Sequence, residues 1–150
     1  MRGRTKIQMK KKTAIIAGGE SSEYEVSLRS AAGIYSFLDH ERYDTTIVRM
    51  RGNDWQALPN INPLQDDLLQ VGAPIDKNDF SYIHNGQKHH FDFAYITIHG
   101  TPGENGVLQG YLDMLRIPYS CCGVLAAALS FNKYACNHYL SGFGIRTAKS

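Results

Sequence analysis

The 150-residue sequence contains no apolar stretch approaching the roughly 18 residues that a bilayer-spanning helix needs, and no apolar segment of a signal peptide follows its basic start. No membrane association is expected, and the cytoplasm is the expected compartment. Cysteine is scarce. Cys121 and Cys122 are adjacent, Cys136 stands apart, and no C-x-x-C pair occurs. An odd set at that spacing is no disulfide framework, and His84, His89 and His90 gather around Asn85-Gly86 instead of at zinc-ligand intervals. No metal site is expected, and the thiols read as structural. Net charge is only +2, and much of the basic excess lies in residues 1–12, MRGRTKIQMKKK, a run with neither acids nor aromatics. Such a run reads as a solvated, disordered leader, not as a nucleic-acid patch. Neither G-x-G-x-x-G nor a Walker A element is present, so no dinucleotide fingerprint or P-loop is supported.

What the chain does contain is core, at 43% hydrophobic residues, enough for one complete domain. Thr13 to Gly19 (TAIIAGG) is a β-branched apolar run closed by two glycines, the pattern of a buried parallel strand. Ser22 and Glu25 stand at capping-box spacing. Leu28, Ala31, Ala32, Tyr35 and Leu38 then share a helical face that should run to about Asp39. Tyr43 to Met50 predicts a second strand, broken at Gly52-Asn53. Asp54 to Pro74 shows no clear period and reads as loop, and the apolar residues flanking Asn85-Gly86 predict a hairpin. Phe93 to Gly100 predicts another buried strand. Val107, Leu108, Tyr111, Leu112 and Leu115 form an amphipathic face, and the alanine-rich stretch from Gly123 to Gly144 reads as one helix closing on two glycines. Alternating strands and helices predict an α/β fold, a mostly parallel sheet with helices on both faces.

In such folds ligands bind beyond the carboxyl ends of the strands. Two strand ends carry polar, glycine-rich loops, GGESSEYE after the first and HGTPGENG after the later one. Gly100, Gly103 and Gly106 would let backbone approach a ligand, while the helix that follows would offer free N–H groups to an anion. Glu25 is explained as the capping-box glutamate. Glu23 has no such role and is free to face a cationic group. His99, at the end of a buried strand, suits a core histidine and a substrate contact equally. Glu104 suits a helix cap or a ligand contact, with capping favoured by the helix dipole.

GGESSEYEVSLRSA followed by HGTPGENGVLQGYLDMLRIPYSCCGVLAAALSFNK closely resembles the amino-terminal part of D-alanine:D-alanine ligases, cytoplasmic ATP-grasp enzymes that supply the peptidoglycan dipeptide. The resemblance implies a Rossmann-like pre-ATP-grasp domain over residues 13–120, with 121–150 opening an incomplete central ATP-grasp domain. It implies ATP and Mg²⁺ as cofactors, D-alanine as substrate and a homodimer as the candidate assembly. One D-alanine is phosphorylated on its carboxylate, and the amine of a second attacks the acyl phosphate. By the same resemblance Glu23 holds the ammonium of the first D-alanine, His99 lies against that substrate site, and Lys133 reaches the nucleotide phosphates. The chain departs from the family's usual residues at Tyr24, Asn105, Asn132 and Cys121-Cys122. These departures leave the second substrate open among D-alanine, D-lactate and D-serine. With the Mg²⁺ carboxylates expected beyond residue 150, these residues alone should be inactive. A non-catalytic, flavodoxin-like small-ligand module is the alternative.

Overall fold

A computed structural model describes residues 9–148. The elements are β1 (Lys11–Gly18), α1 (Tyr24–Phe37), β2 (Tyr43–Arg51), β3 (Asp54–Leu58), β4 (Ala73–Asp76), β5 (Ser81–His84), β6 (Gln87–His89), β7 (Phe93–Ile96), α2 (Val107–Met114), α3 (Val124–Phe131) and α4 (Lys133–Ser141). Seven strands form one sheet in the order β6-β5-β4-β3-β2-β1-β7. Strand β1 is central to the parallel part. It pairs in parallel with β2 on one side and with β7 on the other, in the register Thr13↔Thr45 and Thr13↔Phe93.

The reason for β1's unbroken apolar run is that both of its faces are covered. Ala14 and Ile16 join Val48, Met50, Leu108 and Leu112 on the α2 face. Ile15 and Ala17 join Ile47, Leu28 and Ala31 on the α1 face. Helices do lie on both faces, as the alternation of elements predicts.

The sheet is mixed, however, not mostly parallel, because β2 turns back on itself after Gly52-Asn53. Arg51 pairs with Asp54, and β3, β4, β5 and β6 continue antiparallel to the far edge. This arrangement also departs from the flavodoxin-like alternative, whose sheet would be parallel throughout. Asp54 to Pro74 is therefore not all loop, since it contains β3 and the start of β4. Its connecting stretch is held by a residue the pattern concealed: Arg49, 8% exposed, donates from Nη1 to the carbonyls of Leu68 and Gln70, both at 2.9 Å. The predicted hairpin is present, with Asn85 and Gly86 both at positive φ between β5 and β6.

Strand β1 starts at Lys11, two residues earlier than Thr13. Lys12 exchanges hydrogen bonds with Asp92, so the proposed leader overlaps the sheet at its end, while its residues 1–8 lie outside the described residues. The Gly123–Gly144 stretch is two helices. Asn132 leaves helical geometry (φ −85°, ψ 98°) and its side chain accepts from the Ala135 N–H, capping α4. Cys121 and Cys122 are exposed and do not pack in the core. Among the described residues no helix is long and apolar enough to cross a membrane.

Candidate functional site

The ends of β1 and β7 lie side by side because those strands pair in parallel, so the two glycine-rich loops meet. They are stitched together by named groups. The Glu20 N–H donates to the Thr101 carbonyl at 3.1 Å, and Ser21 Oγ donates to the His99 carbonyl at 2.9 Å. Beneath them Ser27, fully buried on α1, accepts from the Gly18 N–H and donates to the Thr97 carbonyl, both at 2.9 Å. Thr97 Oγ1 in turn donates to the Ile16 carbonyl at 3.0 Å. A strand, a helix and a second strand end are thus locked through two hydroxyls.

The capping box does not form. Helix α1 has Glu23 at its N-cap with no side-chain capping bond, and the Glu23 N–H is taken by Ser21 Oγ at 3.2 Å. Ser22 is exposed. Glu25 lies in the first turn, exposed, where its charge complements the helix dipole. Glu23 is consequently an exposed carboxylate at the mouth of α1, held by a backbone tied to His99. The His99 residue is half-buried.

The second loop is satisfied internally. The Gly100 N–H donates to Glu104 Oε2 at 2.7 Å and the Glu104 N–H returns to the Gly100 carbonyl at 2.8 Å, so Glu104 braces the loop and does not cap α2. The α2 amides are already engaged: Val107 N–H with Asn105 Oδ1, and Leu108 N–H with the Pro102 carbonyl. The expected free anion-binding N–H groups are not offered at these two positions. The glycines serve close packing of protein on protein. A Cβ on Gly103 would lie 2.5 Å from the Ile98 carbonyl oxygen, and one on Gly106, at φ +89°, would lie 2.9 Å from the Val124 oxygen. Gly106 thereby sets α2 against α3.

Lys133 opens α4, exposed, with Nζ donating to the Ser130 carbonyl at 3.0 Å. Arg51 escaped the sequence reading. Its guanidinium sits 4.9 Å from the Tyr24 ring centre, placing a cation beside the residue that follows Glu23. Among the described residues no group of three or more His, Cys, Asp or Glu side chains could hold a metal ion. A cleft of about 740 Å³ opens at the opposite end of the sheet between Tyr35, Thr45, Asn60 and Tyr82.

Residues 12–122 match the protein family described as the D-ala D-ala ligase N-terminus. The chain belongs to that family. Among its curated relatives, the D-alanine–D-alanine ligase of Phocaeicola vulgatus is 59% identical over 144 residues, covering 95% of this chain and 41% of the relative. The chain thus spans about two fifths of that relative's length. Family members of known structure share the fold. The D-alanyl-alanine synthetase A of Vibrio cholerae superposes with a TM-score of 0.77 at 29% identity, over 93% of this chain and 39% of that one. The VanG D-Ala:D-Ser ligase of Enterococcus faecalis also gives 0.77, at 26% identity, over 94% and 44%.

Proposed function

We propose that this chain forms the substrate-side domain of a cytoplasmic, ATP-dependent ligase that joins two D-alanines through an acyl phosphate for peptidoglycan synthesis. The observation that carries the reading is the exposed Glu23 carboxylate at the start of α1, its backbone tied to His99, within the segment that matches the family. A carboxylate there can pair with an ammonium, and Ser21 Oγ, bonded to both the Glu23 N–H and the His99 carbonyl, ties the two positions together. Arg51 supplies a cation over the ring of Tyr24, the residue that follows Glu23. Lys133 is assigned to the nucleotide phosphates. The boundary between the amino-terminal and central domains is placed near Ser120, where the chain leaves the sheet: the Ser120 N–H donates to the Ala94 carbonyl at 3.1 Å, and α3 follows.

The fold does not choose the second substrate, since a D-Ala:D-Ser ligase superposes as well as a D-alanyl-alanine synthetase. D-alanine is proposed because the curated relatives carry that name. Because the chain spans about two fifths of the Phocaeicola vulgatus relative's length, residues 1–150 alone are assigned no dipeptide synthesis.

The test uses a full-length ligase carrying this amino-terminal region. Glu23→Gln keeps side-chain size and removes the charge. A charge-assisted hydrogen bond is worth about 1.5–3 kcal/mol, so kcat/KM for D-alanine should fall on the order of ten- to hundredfold at saturating ATP. Glu25→Gln should leave it within about twofold, because a first-turn charge contributes only tenths of a kcal/mol. Undiminished turnover by Glu23→Gln would remove the substrate role.

A further inference from the structure

The adjacent thiols Cys121 and Cys122 are both exposed, in the irregular segment between the sheet and α3. One of them is wired to the second loop. Gln109, 1% exposed on α2, donates from Nε2 to the Gly103 carbonyl at 2.6 Å and to Cys121 Sγ at 3.2 Å. Its Oε1 is buried without a partner. A buried amide with an orphaned oxygen depends on its remaining contacts, and one of those is a sulfur open to solvent.

We propose that Cys121 and Cys122 are a reversible oxidation site for hydrogen peroxide, and that Gln109 transmits its state to the Gly103 loop. The thiolate of one cysteine attacks the peroxide O–O bond, forming a sulfenic acid and releasing hydroxide, which takes up a proton as water. The neighbouring thiol then displaces the sulfenic oxygen as a second water, and the S–S bond forms. Two thiols lose two electrons and two protons while the peroxide is reduced to two waters. Adjacent residues on a trans peptide have Cα atoms about 3.8 Å apart, whereas disulfides ordinarily span about 4.4–6.8 Å. The bond formed is strained, and strained disulfides reduce readily, which makes the site a switch instead of a staple. To reach Cys122 the Cys121 sulfur must turn, and Gln109 loses that acceptor. The Gly103 carbonyl then hangs on an amide with one contact fewer, so the brace between Gly100 and Glu104 loosens.

Hydrogen peroxide added to the 150-residue chain, followed by intact mass and peptide mapping, tests the site. Loss of two hydrogens within the Cys121–Cys122 peptide, restored by dithiothreitol and retained in Cys136→Ser, is expected. Cys122→Ser should instead gain one oxygen that dimedone traps. In the oxidised parent, amide exchange at Glu104 and Leu108 should rise at least about threefold. Absence of the two-hydrogen loss, its persistence in Cys122→Ser, or its assignment to Cys136 overturns the site. Disulfide formation with unchanged exchange at both amides overturns the relay.

Discussion

Replacing Ser27 by alanine probes the junction on which both loops rest. The hydroxyl is completely buried, accepts the Gly18 N–H and donates to the Thr97 carbonyl, each at 2.9 Å. The hydrogen bond to the Thr97 carbonyl contributes about 1 kcal/mol, and the Gly18 amide, left buried without its acceptor, costs about 1–3 kcal/mol. Alanine returns roughly 0.5 kcal/mol of helix propensity. The net loss should be about 2 kcal/mol. In a domain of this size that lowers Tm by roughly 5–10 °C and moves the urea midpoint down by about 1 M. Urea titration followed by circular dichroism reads the change, with m unaltered if the unfolded state is unaffected. Ser22→Ala is the matched control, exposed one turn earlier, and should stay within about 0.5 kcal/mol of the parent. Equal effects of the two serines, or a Ser27→Ala loss below about 0.5 kcal/mol, would refute the reasoning.

Gly106→Ala forces a side chain into φ +89° and onto the Val124 oxygen, so a loss of about 2–4 kcal/mol is expected in thermal melts. An unchanged Tm would contradict the close packing of α2 on α3. Arg49→Met removes the donors to the Leu68 and Gln70 carbonyls while relieving a buried charge. The balance should be a loss of about 1–3 kcal/mol, with earlier proteolytic cleavage between residues 60 and 72 than in the parent. Tyr111 is pushed up to about 12 from 10.0, first by burial and then by the nearby Asp79 and Asp76 carboxylates. The folded state keeps this proton longer than the unfolded chain, so its contribution is complete below pH 10 and disappears as pH rises through 12. Phenolate absorbance should show the late titration, and Tyr111→Phe should remove that part of the alkaline decline.

Sequence periodicity located β1, α1, β2, the Asn85-Gly86 hairpin and α2 because each presents an apolar pattern that matches its burial. It missed β3 because Asp54 to Leu58 is a short strand whose partner comes from the neighbouring hairpin arm, with no apolar run of its own. The helix break at Asn132 was also hidden. Alanine and leucine on both sides favour continuity, and only a side-chain cap interrupts them. At the site, the two loops were legible from their glycine-closed strand ends, which the parallel pairing of β1 and β7 brings together. Ser21 and Ser27 were not. Ser21 immediately precedes the capping-box serine Ser22, a one-position shift within the ordinary uncertainty of helix boundaries. Ser27 lies on an apolar face where only tertiary contacts reveal its partners.

The central position of β1 also orders events in time. Its partner β2 begins about 30 residues later, but β7 comes 80 residues on, as the Lys12 to Asp92 pairing records. Closing the longer loop costs only about 0.8 kcal/mol more, by the logarithmic dependence on length, so the delay matters more than the entropy. At synthesis rates of about 5–20 residues per second, β1, α1 and β2 can associate seconds before β7 is made. During that interval β1 presents an unpaired edge, the kind of edge that recruits foreign strands. Two lysines, Lys11 and Lys12, stand at its start and discourage that pairing until the native partner arrives.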